Sequence, residues 1–540
     1  MKDISSTASF VDFTLENFIY VDKTEYIPKL VKLKRVFISR PRRFGKSLTL
    51  DTIATLFETG VEPYFKGTWI YDKWTEPTYP VLRLNFLDLD KYSLEHFKQK
   101  LNAIISSFAR DINVKNYEEK VEPEDTIYFL LDELRKEKRQ IVILIDEYDC
   151  QMTANINNET LYKQFQEKIK SFYATIKNKW PIKFLGITGV TRLKDVEIFS
   201  IGSDINDITN DSVYSQMIGF TRDEIKKYYI DYLTLAASYE NKCRVEEVTD
   251  TQIESMLDMM AQNYDGYCFD EFYKKKVFST WSVNKFFQSV VSNKFVYFGE
   301  YWYDNGGLPS ILVNYLKTHE LNIFEYLDKD KFLKVSSDDF KNPTALTTIN
   351  QNVLMCQTGY LTLRSDLNKT STVALGIPNG EIYKALNRLL ANNIFKGNTD
   401  ITDDYGRSLL EVGTVDDIIN LFNSALNSVS YDNYPIVSES SVQNMLKLYL
   451  LGAHQKVLSE LHEAKGRADL VVNTDNRRIV FEFKYAKNET EAKSKLLDAV
   501  EQIKTRDYGN IVPKKTELLR IAAVFNADPK VRAFTEYQKV

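Results

Sequence analysis

The stretch Ser39 to Leu50, SRPRRFGKSLTL, constrains this chain more than any other. It is preceded by an apolar run, Arg35 to Ser39 (RVFIS), that reads as a short buried strand. It is followed by Ser47 to Glu58, in which Leu48, Leu50, Ile53, Leu56 and Phe57 recur at helical spacing. Strand, tight loop and helix in that order are what a phosphate-binding loop requires. Backbone N–H groups and the positive end of the helix dipole then meet a polyphosphate. Gly45-Lys46-Ser47 closes the motif, with Lys46 expected to reach the β- and γ-phosphates and the Ser47 hydroxyl to ligate Mg²⁺. The usual G-x-x-x-x-G-K-[ST] pattern has glycine where this chain has Arg40, followed by Pro41.

A Gly-Lys-Ser triplet alone also begins ordinary surface helices, so a second element matters. Gln140 to Ile145 (QIVILI) reads as a strand buried on both faces, and it ends in Asp146-Glu147. Asp146 is expected to hold the Mg²⁺ shell and Glu147 to polarise the attacking water. The competing reading of this pair is a core strand with a solvated acidic end. Two motifs in this order, about 100 residues apart, favour the nucleotide site. Ile182 to Thr188 (IKFLGIT) is the next buried strand, running into Gly189-Val190-Thr191-Arg192. Arg192 is a candidate for stabilising phosphate charge, against the commoner role of an arginine paired at a strand end. Strands alternating with helices predict an open α/β sheet with nucleotide at the strand C-termini, the P-loop NTPase architecture.

The runs YVDKTEYIPKL (Tyr20 to Leu30), SRPRRFGKSL, ILIDEYD (Ile143 to Asp149) and YDGYCFD (Tyr264 to Asp270) resemble the bacterial AAA-ATPase-like family. Members of that family often carry a C-terminal nuclease-like domain of the PD-(D/E)XK superfamily. The form of the loop, with arginine in place of the first glycine, is itself that family's mark. The resemblance implies ATP as ligand, with Arg42, Arg43, Phe44, Gly45, Lys46, Ser47 and Leu48 forming the phosphate loop. It adds Asp146, Thr188 and Arg192 to the nucleotide set, with Thr188 sensing the γ-phosphate and Thr191 as the reserve. The segment Tyr20 to Leu30 is expected to cover the nucleotide base or, on physical grounds alone, to pack on the sheet edge.

Past the sheet, Thr221 to Glu224 (TRDE) is a capping box that starts a helix, and the pattern stays mostly helical to about Ser289. Asn263 to Asp270 interrupts it at Gly266. This turn either packs between helices or brings Asp265 and its tyrosines to the nucleotide or to another domain. Polar residues gather at Lys396 to Ser408 and at Ser428 to Ser441, and the last domain boundary is placed in the second of these.

Ser441 to His462 reads as helical, and HEAKGRADLVV then turns into a strand that is followed by a second, Arg477 to Tyr485 (RRIVFEFKY). Alternate residues of a strand share a face, so Glu482 and Lys484 point the same way, and Asp469 can sit opposite them across a hairpin. Two converging carboxylates suit a hard cation, Mg²⁺ or Mn²⁺, and a lysine beside it can orient a water for phosphodiester attack. The bland alternative is an exposed Glu–Lys ion pair. Glu460 on the preceding helix and Gln502 on the following one complete a resemblance to the PD-(D/E)XK core, although no proline precedes Asp469. By that resemblance Glu460, Asp469 and Glu482 bind metal, while Asp469, Glu482, Lys484 and Gln502 are catalytic.

Charge is unevenly spread. The chain has a formal net charge of −5, yet Ser441 to Val540 holds 18 Lys and Arg against 13 Asp and Glu. A basic module behind an acidic body is compatible with a C-terminal nucleic-acid contact. The four cysteines and four histidines are scattered without metal-ligand spacing, which points to a reduced, cytoplasmic-type protein. No apolar run is long enough for a membrane span, so no membrane partner is expected.

The length allows roughly three domains. These are expected as a P-loop domain over 1–220, a mainly helical lid and connecting region over 221–430, and a restriction-endonuclease-like α/β domain over 431–540. The expected function is ATP binding and hydrolysis joined to metal-dependent cleavage of nucleic acid, with DNA the expected substrate. Two alternatives stay open: an ATP-dependent switch whose C-terminal fold only binds nucleic acid or protein, and a toxin or defence effector. A homo-oligomer is left open as well.

Overall fold

The computed structural model describes residues 1–177, 179–193, 204–302, 310–316, 323–343, 345–395, 404–453, 455–463, 466–508 and 516–540. They group into two compact units, Met1–His319 with Phe332–Ile382, and Glu320–Lys331 with Tyr383–Val540.

The first unit is built on a parallel sheet of β1 (Arg35–Ser39), β2 (Val81–Asn85), β3 (Ile141–Asp146), β4 (Ile182–Gly189) and β5 (Asn206–Asp207), in the order β2-β3-β4-β1-β5. β1 is buried along its whole length and β3 in all but its final aspartate, as continuous apolar runs in a two-faced parallel sheet must be. Because β4 lies between β3 and β1, the C-terminal ends of all three meet. Ser39 pairs with Gly189, Ile38 with Thr188 and Ile145 with Ile187. The helix Lys46–Thr59 follows β1 and buries Ile53, Leu56 and Phe57 against the sheet. Phe57 stacks on Phe184 of β4 at 5.9 Å, and deleting such a ring costs about 3–5 kcal/mol.

The helical extension packs onto this core within the same compact unit, which spans the boundary expected at 220. The capping box forms: Thr221 Oγ1 accepts from the Glu224 N–H at 3.2 Å, and the Glu224 carboxylate accepts from the Thr221 N–H at 2.8 Å. From there the helices bury Tyr229, Leu233, Met256, Phe286 and Phe287 in one cluster with Ile19 and Val21 of the N-terminal segment. Shared apolar burial of this kind leaves no seam at which to divide the chain. The turn at Asn263 to Asp270 is a packed one. Gly266 has φ +95°, and a Cβ there would run into the carbonyl of Pro378. Asp270 is buried and accepts from the backbone N–H groups of Phe272, Lys274 and Lys275. A small antiparallel sheet of β6 (Leu333–Ser336), β7 (Thr362–Leu363) and β8 (Thr372–Gly376) completes the unit. Next to it Glu381 is fully enclosed, accepting from Ser282 Oγ at 2.7 Å and the Trp302 N–H at 2.8 Å. Burial pushes its carboxyl up to about 8.

The second unit includes residues from Tyr383 onward, so the boundary expected at 430 falls inside it: the helix Val415–Asn427 packs on the sheet, with Phe422 5.3 Å from Phe481. Its mixed sheet runs β13-β12-β11-β10-β9, from β9 (Lys456–Glu463), β10 (Gly466–Asn473), β11 (Arg477–Ala486), β12 (Glu517–Asn526) and β13 (Ala533–Lys539). β11 and β12 are parallel, and the other pairs are antiparallel. The reading of Ser441 to His462 as one helix is corrected. A helix over Glu439–Gly452 ends where Gly452 approaches Ala391, and β9 begins four residues later. The apolar β10 would otherwise present an unpaired edge, and β9 supplies its partner. Glu460 therefore lies on a strand, not a helix, and its side chain is outside the described residues. No helix among the described residues is long and apolar enough to cross a membrane, and all four cysteines are free thiols.

Candidate functional site

In the first unit the loop between β1 and its helix turns through two left-handed residues, Arg43 at φ +68° and Gly45 at φ +101°. Gly45 is the helix N-cap. Lys46 is almost fully buried and curls back over the loop, donating to the carbonyls of Arg40 at 3.1 Å and Pro41 at 3.2 Å. Asp146 is the hub of the strand ends. One of its oxygens accepts from Ser47 Oγ at 2.5 Å, and the other accepts from Thr188 Oγ1 and from the Glu147 N–H. Glu147 follows with φ +51°. Burial raises its carboxyl above the ordinary range, against the opposing pull of Lys46.

A cavity of about 260 Å³ opens beside Lys46, Ser47 and Glu147. Tyr20, Tyr26 and Leu30 of the N-terminal segment form part of its wall, as do Phe220 and Trp281 of the extension. Arg42 and Leu48 also line it. Arg43 lines it too, and its guanidinium donates to the Tyr301 carbonyl at 3.1 Å and lies 4.4 Å over the Trp281 ring. The Phe44 ring is buried against Tyr267 at 4.7 Å and Phe269 at 5.5 Å. Arg192 is away from this cavity: it donates to Asp207 and to the Lys341 carbonyl, the strand-end ion pair that was its alternative reading. Thr191 donates to Asp149, which also accepts from the Val190 and Thr191 N–H groups. Asp149 is thus an organiser of the β4 end that spacing alone did not single out.

Arg40, at the position where glycine is usual, is completely buried beneath the loop. Its Nη1 donates to the carbonyls of Ser39 at 2.9 Å and Thr209 at 2.6 Å, and the guanidinium lies 4.1 Å over the Phe269 ring. Burial pushes it down to about 9.

In the second unit the register pairs Leu470 with Phe481, which sets Asp469 opposite Glu482. Asp469 Oδ2 accepts from the Phe483 N–H at 2.8 Å. Glu482 is wholly buried, and one of its oxygens is held by Lys484 Nζ at 2.8 Å. The other, Oε2, is buried with no partner among the described residues. Burial, and after it the charge of Asp469, raises Glu482 to about 7 against the pull of Lys484. Burial also raises Asp469. For Lys484, burial works downward but is outweighed by the hydrogen bond and charge of Glu482, so its pKa rises.

Glu439 joins this group, 3.5 Å from Lys484 Nζ, and sequence reasoning missed it. The signal was present, since Ser438 caps the helix through the Ser441 N–H and puts an acid in the first turn. Gln502 stands on the helix Glu489–Arg506 but donates to the Tyr508 hydroxyl at 3.3 Å, as Arg506 does at 2.8 Å. Among the described residues no three His, Cys, Asp or Glu are gathered as a ready metal cage. The orphaned, buried Glu482 Oε2 beside Asp469 nonetheless fits a hard cation, which would satisfy it.

A phosphate loop on a parallel sheet and a carboxylate–lysine cluster on a mixed sheet define an ATPase-like unit and a nuclease-like unit in one chain. Residues 5–199 match the family model for a predicted AAA-ATPase, and residues 437–534 match that of the PD-(D/E)XK nuclease superfamily. It is 25% identical over 532 residues to an uncharacterised protein in the vnfD 5′ region of Azotobacter chroococcum mcd 1, covering 95% of this chain and 94% of that protein. Two solved structures also match. One is Cdc6p from Pyrobaculum aerophilum, at 11% identity and TM-score 0.23 over 68% of this chain and 93% of that one. The other is Orc1 from Aeropyrum pernix in complex with DNA, at 9% identity and TM-score 0.25 over 71% and 97%.

Proposed function

We propose that the protein binds and hydrolyses ATP in its first unit and cleaves nucleic acid, DNA in the first instance, with a divalent metal in its second. The observation that carries the nuclease reading is the buried Glu482 Oε2, without a partner among the described residues, on a side chain whose strand register sets it opposite Asp469. Ser47 and Asp146 would hold Mg²⁺ at the loop, where the ion would neutralise phosphate charge. Lys46 exchanges its loop carbonyls for phosphate oxygens, and Thr188 keeps Asp146 oriented. Glu147, with its raised affinity for protons, accepts one from the attacking water. In the second unit Asp469 and Glu482 would hold Mg²⁺ or Mn²⁺, which would polarise a phosphodiester oxygen there. Lys484 orients the attacking water. The cytoplasm is the proposed location, and a homo-oligomer remains part of the proposal.

The reading is tested by assaying cleavage of plasmid and RNA substrates with and without ATP and Mg²⁺. Metal-dependent nicking lost in Asp469→Asn supports it, and its absence in wild-type protein refutes the nuclease part. A second reading, a switch whose C-terminal fold only binds, is favoured by one feature: Lys484 already occupies a Glu482 oxygen that a metal would need. Under that reading ATP is hydrolysed but no metal binds at Glu482.

A further inference from the structure

One cavity is used by neither the phosphate loop nor the carboxylate–lysine cluster. It measures about 430 Å³, within the range of small-ligand sites, and lies wholly in the first unit. Its walls come from Lys2, the helix Phe10–Leu15 with the residues after it, the loop at Lys66, and the helices Arg222–Tyr228 and Ile230–Asn241. Its floor is aromatic: Tyr20 packs edge-on to Phe10 at 4.9 Å and Phe13 at 5.7 Å, and Tyr232 is buried alongside. Its rim is cationic.

Lys2, Lys66 and Lys227 reach it from three separate segments, and none is ion-paired among the described residues. The Lys227 ammonium lies 4.9 Å over the Tyr228 ring instead. Of the two carboxylates present, Asp22 is already engaged by the Thr24 N–H and hydroxyl and by the Trp69 N–H, at 2.6–2.9 Å. Asp231 is the other. Aromatic rings and ammonium groups without an ion pair among the described residues, lining one cavity, suit a ligand that is a planar ring at one end and a phosphate at the other. An acidic peptide would use the rim and leave the floor idle.

We propose that this cavity is a second anion site that takes a phosphorylated nucleoside, either free or as one residue of a nucleic-acid strand. Phe13, Ile19 and Tyr20 line both this cavity and the one at the phosphate loop, so a ligand here presses on a shared wall.

The test uses the full chain carrying Lys46→Ala, which removes the loop lysine, and Asp469→Asn, which prevents cleavage. AMP binding is measured by calorimetry and binding of a short fluorescein-labelled oligothymidylate by anisotropy. At least one should bind. Adding Lys66→Glu with Lys227→Glu should weaken that binding roughly tenfold or more and flatten its salt dependence, with Lys66→Gln and Lys227→Gln giving a smaller loss. Binding of AMP alone identifies a free nucleotide as the ligand, and binding of the oligonucleotide identifies a strand. The proposal is overturned if neither binds, if the lysine changes have no effect, or if polyglutamate competes equally well.

Discussion

The ammonium of Lys46 lies 3.6 Å from the carboxylate of Glu147. The cation that phosphates would recruit is thus balanced by the chain's own acid, and nucleotide binding is an exchange of partners at a buried charge. Lys46→Ala should therefore weaken ATP affinity by about 1.5–3 kcal/mol or more, the scale of a charge-assisted hydrogen bond. Calorimetric titration checks this. Affinity that survives would shift the phosphate-binding role to Arg42, the loop arginine whose side chain is not held elsewhere among the described residues.

Glu147→Gln should leave ATP bound and slow its hydrolysis by roughly 10²-fold or more, the scale of general-base loss. Asp146→Asn should instead alter the Mg²⁺ dependence, because Asp146 is the common acceptor for Ser47 and Thr188. Steady-state phosphate release across a Mg²⁺ series separates the two. Identical effects, confined to affinity, would make the pair structural.

Asp469→Asn and Glu482→Gln should each weaken Mn²⁺ binding and end cleavage. Lys484→Ala should end cleavage while leaving Mn²⁺ binding intact or tighter, since it frees an oxygen of Glu482 and withdraws a like charge from the ion. Mn²⁺ titration beside plasmid nicking gives the ordering. A Lys484→Ala protein that loses metal as fully as Asp469→Asn would sink the nuclease assignment.

Glu381 predicts a pH effect on stability. Its carboxyl is raised from 4.5 to about 8 by burial, so the folded chain holds this proton more tightly than the unfolded one. Its contribution is fully present below pH 4.5 and is lost as pH rises towards 8, with a slope approaching about 1.4 kcal/mol per pH unit. Glu381→Gln should flatten the melting temperature against pH across that window. An unchanged profile would mean that Glu381 ionises at its ordinary value.

Gly266→Ala should destabilise the first unit by about 1–3 kcal/mol, because alanine is strained at φ +95° and its methyl meets the Pro378 carbonyl. A melting curve indistinguishable from wild type would show that the turn relaxes at no cost.

Much of this was legible in the sequence, for local reasons. Arg35 to Ser39, Ile141 to Asp146 and Ile182 to Gly189 are apolar runs long enough only for strands, and the residues at their ends carry the chemistry. The alternation that places Glu482 and Lys484 on one face needs no tertiary knowledge. What stayed hidden depends on partners distant in sequence. Arg192 is committed to Asp207 and Lys341, and no spacing announces that choice. β9 reads as helix until the edge of β10 demands a strand beside it. A helix start at Ser441, as the apolar spacing suggests, leaves Glu439 outside the helix, whereas the Ser438 cap puts it in the first turn.

Arg40 has a consequence for the history open to this loop. Its guanidinium fills the space under the turn, ties Ser39 to Thr209 and rests on Phe269. Restoring glycine, as the commoner motif would have it, would unpair the Thr209 carbonyl and leave a void facing an aromatic ring. Arg40→Gly alone therefore removes a group this loop is packed around, and a search pattern that insists on glycine at that position overlooks a loop built in this way.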